Sequence, residues 1–353
     1  MNIIQNILSK LSENIAIDLG TANIRILING KEIIKEPSVV AINTNNGKIL
    51  AIGNDAKQMI GRTPANIVAI QPLKNGVISD FNATEALIHY FIEKSKAKMK
   101  LISQVFNPVI VIGVPSIITE VEIKAVIDSA KSAGARKVFV IEEPIAAAIG
   151  AGLDIEQAQG CMIVDIGGGT TDIAIMSLGG ILIDNSIKVA GDEMDKSIIE
   201  YIQNKYNLFI GLKMAEDVKK ALASAIPKPT NSELQIFQIK GQDMLSGLPK
   251  STEVNSYEIS EAISPVIEKI LNAIKEAIEK TPPEIIGDLI SEGIVLTGGG
   301  ALIHNLDKFL AQKLKIKVIV AKDPILNVVQ GISKILDNID LLERIHIKDL
   351  ILK

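Results

Sequence analysis

The chain has 353 residues, enough for two domains that each bury a core. It is 47% hydrophobic with a net charge of −4, which excludes a disordered chain and leaves no basic field for nucleic acid as the main partner. The single cysteine, Cys161, excludes an internal disulfide and fits a reducing, cytoplasmic compartment; no apolar run reaches the roughly 18 residues of a spanning helix.

In chain order, residues 1–12 place Ile3, Ile4, Ile7, Leu8 and Leu11 on one face of a helix, with Asn2, Gln5, Asn6, Ser9 and Lys10 opposite. Left exposed, such a face suits a membrane interface. Docked on the body or on a partner, it is ordinary packing. One lysine exerts little pull on anionic lipid, so a single copy would bind weakly and a polymer through avidity. No signal peptide is read at this end.

Residues 14–42 read as a meander of short strands, at 14–19, 24–29, 31–35 and 38–42. The first strand runs into Asp18-Leu19-Gly20-Thr21-Ala22-Asn23. Residues 48–70 read as a small α/β excursion with a helix near 54–60, residues 71–80 as a Pro/Gly link, and 84–98 as an amphipathic helix. In Met99-Lys100-Leu101-Ile102, the apolar Leu101 and Ile102 form a second membrane contact or pack beneath the next strand. A buried strand at 109–114 ends at Pro115-Ser116, and a helix at 119–133 starts from Ser116 or Thr119. After a strand at 138–141, Glu142-Glu143-Pro144 opens a helix to Gly150. Glu143 is placed there to orient a water or accept its proton. As a helix-terminal charge it would only complement the dipole.

The second half repeats the plan, with strands at 161–165, 173–178, 181–184 and 187–190. Between the first two lies Asp165-Ile166-Gly167-Gly168-Gly169-Thr170-Thr171-Asp172. Its glycines let backbone N–H groups close on a bulky anion, and Thr170 and Thr171 add hydroxyl donors. Asp165, at the strand end, is placed to hold a hydrated Mg2+, as is Asp18. One such turn equally describes a tight hairpin without a ligand. The Asp18 turn, 147 positions earlier, repeats the design and points to two related lobes gripping one nucleotide. Helices follow at 192–206, 214–225 and 259–279, strands at 233–240 and 254–258. A strand at 294–296 enters Thr297-Gly298-Gly299-Gly300-Ala301, read as opening a helix to Gln312 whose terminus faces a base or ribose. Residues 318–320 close the sheet, 327–336 form a helix, and the tail at 341–353 contacts lipid or a partner or is merely solvated. No zinc spacing and no Gly-x-Ser-x-Gly appears. The reading is α/β: two lobes, each a mixed sheet flanked by helices, around a cleft for Mg-ATP.

Eight motifs then carry a resemblance: Ile17-Asp18-Leu19-Gly20-Thr21-Ala22-Asn23, Gly61-Arg62-Thr63-Pro64, Pro72-Leu73-Lys74-Asn75-Gly76-Val77-Ile78, Gly113-Val114-Pro115-Ser116, Ile141-Glu142-Glu143-Pro144, Asp165 to Thr171, Val189-Ala190-Gly191-Asp192-Glu193-Met194-Asp195 and Leu296-Thr297-Gly298-Gly299-Gly300-Ala301. From about residue 14 to 335 the chain resembles MreB, the bacterial actin; the wider actin, Hsp70 and sugar-kinase superfamily shares only the turns.

The resemblance implies an actin-like fold of four subdomains around a nucleotide cleft. They would be IA (14–35, 74–147 and 325–353), IB (36–73), IIA (148–181 and 258–324) and IIB (182–257), behind an N-terminal helix at 1–13. It implies ATP or ADP with Mg2+, contacted by Gly20, Thr21, Ala22, Asn23, Gly167, Gly168, Gly169, Thr170, Thr171, Gly298, Gly299, Gly300 and Ala301. The family's water-positioning Glu and Thr fall on Glu143 and Thr170, its nucleotide-contacting Glu and Lys on Glu216 and Lys219, and its protofilament-pairing residue on Val121. The implied product is a homopolymer of antiparallel double protofilaments on the inner face of the cell membrane. It would maintain cell shape with shape or wall-synthesis proteins or other cytoskeletal proteins. Two departures stand out: Asp172 where the family usually has Glu, and Lys219-Lys220-Ala221-Leu222-Ala223-Ser224 in place of a more acidic stretch. A small-molecule kinase or phosphatase of the same superfold would need a general base aimed at a substrate pocket, and no aspartate has that context. A chaperone would need a β-rich peptide-binding module after the ATPase.

Overall fold

The computed structural model describes residues 13–74, 76–99, 107–227 and 234–338. Ile3, Ile4, Ile7, Leu8, Leu11, Leu101, Ile102 and the tail at 341–353 lie outside the described residues. The first lobe runs β1 (Ile15–Leu19), β2 (Asn23–Ile28), β3 (Lys31–Pro37), β4 (Val40–Asn43), β5 (Ile49–Ile52), α1 (Asn54–Met59), β6 (Ile67–Ile70), β7 (Leu73–Lys74), β8 (Val77–Ile78), α2 (Phe81–Lys96), β9 (Val109–Val114), α3 (Glu120–Ser132), β10 (Lys137–Glu142) and α4 (Glu143–Ala151). The second runs β11 (Cys161–Ile166), β12 (Thr171–Ser177), β13 (Gly180–Ile187), α5 (Gly191–Tyr206), β14 (Leu208–Phe209), α6 (Leu212–Leu222), β15 (Ile236–Asp243), β16 (Pro249–Asn255), α7 (Ser256–Glu279), α8 (Pro283–Glu292), β17 (Ile294–Thr297), α9 (Leu306–Leu314), β18 (Val318–Val320) and α10 (Asn327–Asp337).

The repetition expected from the two Asp turns extends to whole sheets. One has the order β10-β9-β1-β2-β3, the other β18-β17-β11-β12-β13. In each, the strand that ends in the aspartate (β1 or β11) is central. It pairs antiparallel with its hairpin partner and parallel with a strand returning from a crossover. Such strands are covered on both faces, which is why β9 and, Asp165 apart, β11 are apolar without alternation and buried throughout. Cys161 lies inside β11 as a small buried hydrophobe.

Helix starts follow capping chemistry. Asp80 accepts from the Ala83 N–H at the head of α2, and Thr119 forms a reciprocal capping box with Glu122 on α3. Asn255 and Glu258 do the same for α7. Pro144, in the first turn of α4, removes an N–H that would have no partner.

Between the two sheets lie α4 and α10, which share one core with Ala16, Val111, Ile163 and Ala174. They cross almost backbone to backbone. A Cβ at Gly331 would fall 1.8 Å from the Ala146 carbonyl oxygen, and one at Gly150 the same distance from that of Asn327.

Three local expectations are corrected. Residues 180–187 are one strand, not two, because β13 follows β12 through a register shift at Ile175/Met176 without breaking. Helix α8 was not anticipated. The third glycine cluster does not open a helix. Gly299–Leu302 is a short 3-10 turn, and α9 begins only at Leu306, after Asn305 at φ 58° turns the chain left-handed.

Candidate functional site

A cleft of about 1720 Å³ separates the lobes. It is lined by Asp18, Gly20, Thr21, Ala22, Asn23 and Glu143 from the first lobe, and by Asp165, Gly167, Gly168, Thr170, Glu216, Lys219, Gly298, Gly299 and Gly300 from the second. Gly169, Thr171 and Ala301 are buried behind that lining. Val121 is far from this chemistry in kind: it is 71% exposed on the first turn of α3.

The two hairpin turns abut. A Cβ at Gly168 would lie 2.6 Å from the Ala22 Cβ, so the second turn comes as close as an absent side chain permits. Within the second turn, the Gly167 N–H closes on the Thr170 carbonyl at 2.9 Å, leaving the N–H groups of Gly168 and Gly169 outside that bond. The Thr171 hydroxyl, expected to face the cleft, instead donates to the Val189 carbonyl at 2.7 Å. The Thr170 hydroxyl donates to Asp172 Oδ2 at 2.9 Å. Thr170 also touches the first lobe: a Cβ at Gly76 would lie 3.0 Å from Thr170 Cγ2 and 3.6 Å from Pro115 Cβ. The end of β9 that leads into Pro115 also carries Gly113, where a Cβ would lie 3.6 Å from Glu143 Cγ.

The hairpins differ in charge. Asp18 stands opposite Arg25, whose guanidinium reaches its Oδ2 at 3.1 Å. At the matching position Asp165 stands opposite Asp172. With Glu143, half-buried but with its Oε1 shielded from solvent, this makes four acids against one arginine. Burial pushes Asp165 up to about 8, with Asp172 and Asp18 adding repulsion. Burial first, and then the charges of Asp18, Asp172 and Asp165, push Glu143 well above the usual carboxylate range. Asp18 is raised less than its burial alone would dictate, because Arg25 offsets part of it. Glu143 Oε1 and Asp172 Oδ1 are buried with no hydrogen-bond partner among the described residues.

This donor set fits a hard divalent cation: four carboxylates against one arginine, with Glu143 Oε1 and Asp172 Oδ1 left without a partner. Among the described residues no three His, Cys, Asp or Glu side chains converge tightly enough to ligate a metal directly. Asp18 and Asp165 would hold such an ion, and Mg2+ commonly keeps several of its waters when carboxylates bind it.

Farther out, Lys219 donates to the Gly191 carbonyl at 2.7 Å and pairs with Asp195 at 2.8 Å; burial pushes Asp195 up to about 6. Two of the three ammonium donors are thus committed and one is left. Glu216 is bracketed by Lys220 on its own helix and by Lys57 from α1 at 3.5 Å. The third glycine cluster has two reasons for its composition. A Cβ at Gly298 would meet Asp165 Oδ1 at 2.2 Å and one at Gly300 would meet Ile166 Cγ2 at 2.2 Å, while Gly299 has nothing within 4 Å. All three line the cleft, and Gly299 alone faces it with no protein atom near an added Cβ.

Arg25, Lys57 and Asp195 were not singled out from sequence. Arg25 had a signal: it mirrors Asp18 across the turn as Asp172 mirrors Asp165. Lys57 had none, because its partner Glu216 is 159 residues away.

The chain matches the model of the family described as MreB/Mbl protein over residues 12–344. It is 48% identical to the cell shape-determining protein Mbl of Bacillus subtilis (strain 168), covering 94% of this chain and 98% of that protein. It is 43% identical to the cell shape-determining protein MreB of Escherichia coli (strain K12), covering 94% and 95%. Its structure resembles that of MreB5 of Spiroplasma citri bound to ADP, with TM-score 0.86, 39% identity and 94% and 98% coverage. It shares its fold with the subunit of the MamK double helical filament, at TM-score 0.76, 22% identity and 92% and 99% coverage. The chain is a member of the MreB/Mbl family with an actin-like fold.

Proposed function

We propose that this protein is a cytoskeletal ATPase that polymerises into membrane-associated filaments and contributes to bacterial cell shape. The carrying observation is the pair of abutting Gly/Thr turns over a floor of three buried aspartates and the half-buried Glu143 in one inter-lobe cleft. Solved structures of Spiroplasma citri MreB5, bound to ADP and to AMPPNP, support the nucleotide reading, and the relatives named as shape-determining support the cellular one.

In this reading the turns at Gly20–Asn23 and Gly167–Thr171 grip the phosphates. Glu216, Lys219 and Gly298–Ala301 hold base and ribose. Asp18 and Asp165 would hold Mg2+, which would screen the phosphate charge. Glu143 and Thr170 position the attacking water. Subdomains IA, IB, IIA and IIB follow the divisions given above. Val121, exposed on α3, pairs antiparallel protofilaments. The amphipathic segment with Ile3, Ile4, Ile7, Leu8 and Leu11, together with Leu101 and Ile102, meets the inner face of the membrane. Shape or wall-synthesis proteins are the further partners.

The test is phosphate release and pelleting with Mg-ATP. Glu143→Ala is expected to slow release by roughly 100-fold while ATP still binds. Unchanged turnover removes Glu143 from the chemistry, and absence of polymer under every nucleotide condition removes the filament reading.

A further inference from the structure

Asp172 is the buried acid that neither the phosphate grip nor the cation needs. Its counterpart in the first lobe is Arg25, which neutralises Asp18. A cation at position 172 would do the same for Asp165, yet the chain places a second carboxylate there, 3% exposed, where it raises both Asp165 and Glu143. Burying like charges together costs stability, so folding does not account for the choice.

The hydrogen bonds do. A hydroxyl can donate or accept, and its neighbours decide which. Thr170 donates its hydroxyl proton to Asp172 Oδ2 at 2.9 Å; burial pushes Asp172 up, and this hydrogen bond works against that shift. The Thr170 proton is therefore committed, and its oxygen is left only as an acceptor. Glu143 brings a second oxygen, the shielded and unpartnered Oε1, which accepts a water proton when the carboxyl is ionised. A water whose two protons go to two acceptors presents its lone pair elsewhere, toward the phosphorus. A Thr170 free to donate would compete for that same lone pair.

We propose that Asp172 is a positioning residue for hydrolysis: by accepting the hydrogen bond of Thr170 it turns the Thr170 oxygen into an acceptor for the attacking water. This rests on the reading of Glu143 and Thr170 given above. Asp172 is held rigidly enough for the task, since β12 pairs it with Asp165 on one side and Ser186 on the other.

Single-turnover phosphate release at saturating Mg-ATP tests it with Asp172→Ala, Asp172→Asn, Thr170→Val and the Thr170→Val/Asp172→Ala pair. The Ala and Val variants should each slow release by roughly 10- to 100-fold, and the pair no more than about twofold beyond Thr170→Val alone. Asp172→Asn, whose amide oxygen can still accept, should recover most of the rate. ATP affinity and the Mg2+ concentration for half-saturation should stay within about twofold. The proposal is overturned if Asp172→Ala releases phosphate at the wild-type rate or if the two losses multiply. It is also overturned if Asp172→Asn is as slow as Asp172→Ala, or if the Mg2+ requirement shifts, since charge and not acceptance would then be the role. If Thr170→Val or Glu143→Ala is itself unimpaired, the site reading fails instead. Loss in those two with a normal Asp172→Ala isolates the failure to Asp172.

Discussion

Lys57 and Glu216 meet across the cleft, Nζ to Oε2 at 3.5 Å, one on α1 of the first lobe and one on α6 of the second. The pair is half in solvent, so it contributes little to folding: Lys57→Ala should change unfolding free energy by less than about 1 kcal/mol. Its effect belongs to the closed cleft. Loss of about 1 kcal/mol of lobe-to-lobe attraction should speed nucleotide dissociation about fivefold. High salt should shrink the difference between variant and wild type, as screening removes the same attraction. Equal dissociation rates at low salt would show that the contact does not hold the lobes together.

Two helix glycines, one at the crossing of α4 and α10 and one on open α8, predict substitutions of opposite sign. Gly331→Ala puts a methyl 1.8 Å from the Ala146 carbonyl, which backbone cannot yield to, and should cost about 2–3 kcal/mol in thermal or denaturant unfolding. Gly287→Ala, in the open interior of α8 with nothing within 4 Å, should stabilise by about 0.5–1 kcal/mol. A neutral Gly331→Ala would mean that the helices can slide apart.

The glycines of the cleft separate packing from ligand contact. Gly168→Ala should destabilise the free protein, because its methyl collides with that of Ala22. Gly299→Ala meets no protein atom, so its melting temperature should hold while ATP affinity falls, by about tenfold if about 1.4 kcal/mol of packing against the nucleotide is lost. Isothermal titration and thermal melting on both variants check the pair.

Cys161 reports on alkaline stability. Burial pushes its thiol up to about 11, from an ordinary value of 9.0. Between these values the folded state keeps a proton that the unfolded chain releases, so stability falls as pH rises through this window. The thiol's share is no more than about 3 kcal/mol. The difference in unfolding free energy between wild type and Cys161→Ala should narrow from pH 9 to 11. A pH-independent difference would place the thiol in contact with solvent.

What could be read from the chain before its structure was mostly local. The Asp18 and Asp165 turns are short patterns in which strand, acid and glycine follow one another, and both fold as hairpins. Thr119 as a cap was legible because its partner Glu122 is three residues away. Lys57 was not, because its contact depends on how the lobes close. The cluster at 298–300 was misread only as a helix start, and part of its composition has a cause no local pattern shows. Glycine marks the absence of a side chain without saying what fills the space, and at Gly298 and Gly300 that is β11. Asp172 was visible as an anomaly, but only strand register revealed that it stands where the other lobe has Arg25.

The contact between Ala22 and Gly168 links the two halves of the gene. With 2.6 Å between the Ala22 methyl and a Cβ at position 168, neither codon can gain bulk unless the other has given it up. Position 168 is already glycine, so a longer side chain at 22 finds no further room opposite it. The seam between the two turns therefore has room for one methyl group, and Ala22 supplies it.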